Sequence, residues 1–257
     1  MRPANIWQIG RLTLCEWTRK KVFYMFFIVA LAFFGLAFTL NFFNLGPQAR
    51  FTMDLSLTAM GLFTAILSLG LSLSAIPQDL ENKTAWCLLS RPVSRFDYLC
   101  GKFLGTVLLI LIILSILTVE LVVVTFLKEN RLHWTILQAG LLLWVESLVL
   151  TAVVLTFSLP FSPPMNAAFS SFVYAVGHLS STYIQALSQE SRNVAGGIPV
   201  LLLKLALPQL QYFDLKSAVV QGYPVPLGYT GEAVLYGLLY ALMVLLLGEL
   251  LLSRKDL

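Results

Sequence analysis

The sequence predicts an all-α membrane protein with six transmembrane helices, on three observations. Of 257 residues, 58% are hydrophobic and only 12% charged, whereas soluble domains carry about 25% charged residues. The apolar residues gather into six stretches of roughly 20, the length that crosses a bilayer. Lys and Arg are divided unequally between the loops on the two sides of those stretches. So little charge does not suit a water-facing enzyme surface, and the net charge of +4 points to no nucleic-acid partner. The whole chain, 1–257, reads as one transmembrane domain in contact with the lipid bilayer.

The arm 1–21 comes first. Ile6, Ile9, Gly10, Thr13, Leu14 and Trp17 fall on one helical face, with Gln8, Arg11, Cys15, Thr18 and Arg19 roughly opposite. That pattern predicts an amphipathic helix at the membrane surface, either a plain anchor or an elbow that also borders a partner subunit. The first span, 22–45, is followed by no small-residue cleavage motif, so it is expected to stay as an anchor. The second span is 55–76. A charged loop, 77–102, leads to the third, 103–127, which opens on Gly101-x-x-x-Gly105, a spacing that lets two helices approach closely.

Spans four and five, 134–159 and 165–187, are separated by Pro160, Pro163 and Pro164, and proline cannot continue a helix. The sixth span is 233–252. Before it lies 188–230, a long loop rich in Pro and Gly. Its apolar piece 198–208 is too short to span and is bracketed by Pro199 and Pro208. It is expected to form a re-entrant or interfacial helix pair.

Eleven of the 17 Lys and Arg residues fall in the N-terminal arm, in 77–102 and in the C-terminal tail. The rule that basic loops stay inside therefore puts both termini and 77–102 in the cytoplasm, and 188–230 outside.

Two carboxylates interrupt the spans, Glu120 in the third and Glu146 near the centre of the fourth. A charge at the bilayer centre costs at least about 2.5–3.5 kcal/mol, so such groups face protein or water. They read either as the lining of a substrate path or proton relay, or as carboxyls joining helices by hydrogen bonds. His178, near the middle of the fifth span, is expected to be hydrogen-bonded, and His133 to sit at the interface beside Trp134. Neither has the partners of a metal site. Cys15, Cys87 and Cys100 lack metal-ligand spacing, and disulfides are not expected in the cytoplasm. No phosphate-cradling Gly-x-x-x-x-Gly-Lys-Ser/Thr, no Gly-x-Ser-x-Gly and no His-Glu-x-x-His occurs. No catalytic group, metal or cofactor is expected in this chain.

The loop 77–102 is a charged island between apolar spans. Asp79 and Glu81 suit the first turn of a helix, where negative charge meets the helix dipole. Leu80, Thr84, Cys87 and Leu88 then share a face, and Pro92 ends the helix. The physics alone fits a helix lying on lipid and a helix docking into a soluble partner equally well.

The run Glu81…Thr84…Leu88-Leu89-Ser90-Arg91-Pro92-Val93-Ser94-Arg95…Tyr98…Gly101-Lys102 resembles the cytoplasmic segment between spans two and three of type-2 ABC transporter permeases. The basic arm, the partly apolar outer loop and the tail Ser253-Arg254-Lys255-Asp256-Leu257 agree with it. Lys83 departs from it, standing where that family commonly has glycine.

The resemblance implies a half-transporter permease of an ATP-driven exporter in the cell membrane, without a fused ATPase. It implies a dimer, with itself or a related permease, that binds two copies of a separate ABC ATPase, where ATP and Mg are held. The island would be the coupling helix, with Asp79, Leu80, Glu81, Thr84, Leu88, Leu89, Arg91 and Arg95 meeting the ATPase, and the outer helix pair would be an exit gate. Two other classes stay open. One is a non-transporting membrane scaffold or assembly factor, the other an ion-coupled secondary transporter using Glu146 and Glu120. Neither the substrate nor the cavity-lining residues can be read from the sequence.

Overall fold

A computed structural model describes residues 3–20, 24, 28, 32, 35, 48–81, 94–129, 133–190 and 207–253. The expected first span, apart from four isolated positions, lies outside the described residues. So do Thr84, Leu88, Leu89 and Arg91, and most of the apolar piece of the outer loop. Among the described residues the regular structure is entirely helical. The helices are α1 (Pro3–Arg19), α2 (Gln48–Ala75), α3 (Pro77–Glu81), α4 (Arg95–Glu129), α5 (Trp134–Phe157), α6 (Pro163–Glu190), α7 (Lys216–Gln221) and α8 (Leu227–Ser253), with a 3-10 turn at Leu210–Phe213.

Among the described residues four stretches are long and apolar enough to cross a membrane: Met53–Asp79, Arg95–Leu127, Trp134–Phe157 and Leu227–Leu252. They overlie the expected second, third, fourth and sixth spans. The expected fifth span is a helix, α6, but Asn166, Ser170, Ser171, His178, Ser180 and Ser181 dilute its hydropathy, and it is not one of the four.

Helix α5 is the hub. Its apolar window is 78% buried by protein, against 33% for α8, so α5 is shielded on nearly all sides while α8 presents much of its surface outward. Hydroxyls inside these helices bond back to the preceding turn: Thr64 Oγ1 donates to Met60 O (2.7 Å), Ser68 Oγ to Thr64 O (2.8 Å) and Thr118 Oγ1 to Leu114 O (2.7 Å). Each satisfies itself within its own helix, as an apolar environment requires.

Small residues let the helices touch. A Cβ at Gly101 would stand 2.6 Å from Ile9 Cβ, and one at Gly105 would stand 2.6 Å from the carbonyl oxygen of Gly10. The Gly101-x-x-x-Gly105 pattern therefore seats α1 against α4. The face of α1 expected to be apolar is the face that docks there: Ile9, Gly10, Thr13 and Trp17 are buried, while Trp7 and Leu12 stay exposed.

The prolines between α5 and α6 act as expected. Pro163 opens α6, where a missing N–H costs nothing. Asn166 Nδ2 then donates to Val154 O (3.0 Å), a carbonyl near the end of α5, and Ser170 Oγ donates to Asn166 Oδ1 (2.9 Å). The bundle thus has two ends. One holds α1, α3, the start of α4, the α5–α6 turn and the last turn of α8. The other holds the start of α2, the end of α6 and the segment 207–226.

Candidate functional site

The charged island begins at α3. Pro77 starts this short helix and Asp79 lies in its first turn, but its carboxylate turns inward. Asp79 Oδ2 accepts hydrogen bonds from the Tyr98 hydroxyl at 2.7 Å and from Lys102 Nζ at 2.8 Å. Asp79 is 5% exposed and Lys102 3%. Lys102 also reaches Glu16 Oε2 at 3.4 Å. Glu16 Oε1 pairs with Lys20 Nζ at 2.8 Å, one helical turn along α1. Lys20 in turn donates to Gln78 Oε1 and lies 4.1 Å over the Trp17 ring. One network therefore ties α1, α3 and α4 together. Burial pushes the Glu16 carboxyl up, but its hydrogen bond from Lys20 and the positive charges of Lys102 and Lys20 outweigh that and hold it below its usual range.

The island returns at Ser94. The Ser94 Oγ accepts the Asp97 backbone N–H at 3.0 Å, capping the N-terminus of α4. Arg95 Nη1 donates to the carbonyl of Leu252 at 2.8 Å, in the last turn of α8. A cation there suits the negative end of the helix dipole. Both margins of the island are thus fastened to the bundle, Asp79 through α4 and Arg95 through α8. Leu80 and Glu81 lie on α3.

The sequence reading singled out neither Glu16 nor Gln78, counted Lys20 and Lys102 only among the basic residues that set the orientation, and otherwise took Tyr98 and Lys102 as part of a motif. A signal existed: Lys102 sits on the edge of an apolar span, and a cation there needs a partner. Nothing in the sequence says which carboxylate that is.

The second polar locus lies within the bundle. Glu146 on α5 is 4% exposed, and its Oε1 lies 2.9 Å from His178 Nε2 on α6. The Tyr174 ring meets the His178 ring edge-on at 4.7 Å. Glu146 thus joins two helices, as one of its two readings held, and His178 is hydrogen-bonded as expected. The pair also lines a cavity of ≈ 210 Å³ between α2, α5, α6 and residues 213–216. Asp214 Oδ1 accepts the Lys216 backbone N–H at 2.9 Å at the rim of this cavity. Glu120 does not line it. Its Oε2 is buried on α4 with no hydrogen-bond partner among the described residues.

The sequence profile of the ABC-2 family transporter proteins matches residues 14–257. The chain belongs to this family. No curated protein matches it closely enough to count as a relative. Membership explains the apolar helices as those of a membrane-embedded subunit of an ABC transporter. Subunits of this family are generally non-catalytic and work with an ABC ATPase.

Proposed function

We propose that this chain is the permease of an ATP-driven exporter in the cell membrane. It has six spans with both termini cytoplasmic, and it pairs as a dimer, with itself or a related permease. Two copies of a separate ABC ATPase bind ATP and Mg and dock on the island. The coupling surface is Leu80, Glu81, Thr84, Leu88, Leu89 and Arg91, with Asp79 and Arg95 at its two margins. ATP-driven closure of the ATPases pushes this surface, and the segment 188–230 opens as an exit gate on the far side.

The observation that carries this reading is the fastening of the island at both ends. Force applied to the island reaches the helices through its attachments, and these include a buried ion pair at Asp79–Lys102 and the Arg95–Leu252 hydrogen bond. A loop resting on lipid needs neither.

The test is co-purification of the chain with the ABC ATPase encoded beside it, comparing wild type with Glu81→Arg and Leu88→Arg. Both variants should lose the complex and its stimulated ATP hydrolysis while keeping the wild-type helical content. A complex and an activity that survive both charge insertions would show that the ATPase docks elsewhere.

A further inference from the structure

We propose that the Glu146 cavity is a binding site for the ammonium group of a small amphiphilic primary amine. The inference goes beyond the permease reading and does not require it.

Size, charge and shape converge on this ligand class. The cavity of ≈ 210 Å³ equals about seven water volumes at ~30 Å³ each, room for an amine bearing a short alkyl chain. Its polar wall holds two carboxylates, Glu146 and Asp214, with one lysine, Lys216, and one imidazole, His178. The wall thus sets two carboxyl groups against one ammonium, a balance of groups that suits a cationic ligand better than a carboxylate. His178 engages Glu146 Oε1, and among the described residues Glu146 has no second hydrogen bond. Its Oε2 is therefore placed to accept from an ammonium, which brings three donors. The rings of Tyr174 and Phe213 also line the space and offer π-faces to a cation.

The rest of the lining suits a hydrocarbon tail. Leu57, Leu62 and Leu143 also line it, and Leu62 is 53% exposed, giving an alkyl chain an apolar way out of the bundle. Gly61 keeps the space open. A Cβ there would meet Leu143 Cδ2 at 3.6 Å, an ordinary contact, so the backbone accepts a larger residue whose side chain then occupies the cavity.

The probe is radiolabelled hexylamine, whose seven heavy atoms fit the volume. Its binding to the full-length chain in detergent is followed by scintillation proximity at neutral pH. Wild type should bind saturably, and 1-hexanol should not compete. Glu146→Gln should bind roughly tenfold or more weakly, the loss expected for a charge-assisted hydrogen bond, and Gly61→Leu should not bind. Lys216→Gln, which removes a cation at the rim and touches no helix core, should bind several-fold more tightly by the same charge argument. The proposal is overturned if wild type shows no saturable binding. It is overturned equally if 1-hexanol competes as well as hexylamine, or if both Glu146→Gln and Lys216→Gln bind like wild type. The assay contains no ATPase, so its failure leaves the permease reading standing. Failure of the coupling variants likewise leaves the amine site standing.

Discussion

Replacing Lys102 by Met should be among the most damaging single changes at the island's base. Lys102 and Asp79 are both almost wholly buried, and their charged atoms lie 2.8 Å apart. Methionine matches the length of the lysine stem but takes the ammonium of a buried ion pair away from the Asp79 carboxylate, while the Tyr98 hydroxyl still donates to it. Removing one member of a buried ion pair costs about 3–5 kcal/mol, because the other charge stays desolvated. At roughly 2–4 °C per kcal/mol for a chain of this size, the melting midpoint should fall by between about 6 and 20 °C.

The assay is thermal unfolding of the purified chain in detergent, followed by tryptophan fluorescence. The control is Asp79→Asn combined with Lys102→Met, which removes both charges of the pair and keeps an acceptor for Tyr98. This double variant should recover about half of the loss or more, since replacing both partners is far less costly than removing one. If Lys102→Met melts within about 2 °C of wild type, or if the second substitution adds further loss, the pair does not hold the island's base.

Three further outcomes follow from the same geometry. Glu16 has a depressed folded pKa, so its stabilisation of α1 is present above its ordinary value of 4.5 and is lost as pH falls through the depressed one. The protection of α1 amides, taken relative to their intrinsic exchange rates, should therefore fall once the pH drops below 4.5, and a Glu16→Gln variant should show no such pH response. Gly105→Ala puts a methyl against the Gly10 carbonyl and should cost about 1–3 kcal/mol by overpacking, read as a lower midpoint together with faster exchange confined to α1. Asn166→Ala removes one of two donors to the Val154 carbonyl, the Ser158 backbone N–H remaining, and should cost about 0.5–1.5 kcal/mol, whereas Ser170→Ala, which removes a donor to Asn166 but leaves that bond intact, should cost less.

Legibility differed between elements for physical reasons. The apolar spans were readable because bilayer crossing depends on composition and length alone, and four of them reappear as helices of that kind. The apolar face of α1 was readable from its period, but its partner was not: Ile9 and Thr13 meet the glycines of α4, residues more than 90 positions away in the sequence. The fifth span was legible as a helix and less so as a membrane element, because polar residues dilute its hydropathy, and Asn166, Ser170 and His178 make hydrogen bonds within the protein. Glu146 stood out as a buried carboxylate, and one of its two readings was a bond between helices. Its partner His178 was expected to be hydrogen-bonded but was not matched to it, since 32 residues separate them. For the coupling surface, Asp79 and Arg95 were read as partner contacts, and the structure engages both within the chain. Periodicity reports which face is polar, not whether that face meets water, lipid or another helix.

By itself the sequence determined the class of this protein: a helical, lipid-adapted ABC-2 subunit with a charged island between two spans and no nucleotide-binding motif of its own. These follow from hydropathy, length and local motif, which act within about twenty residues. Only the tertiary structure decided that Lys102 neutralises Asp79, that Arg95 closes the end of α8, and that Glu146 and His178 share the wall of a cavity. Each is a choice of partner among distant residues. That choice is made by helix packing, because a buried charge or donor must find a complement wherever the fold brings one within about 3 Å.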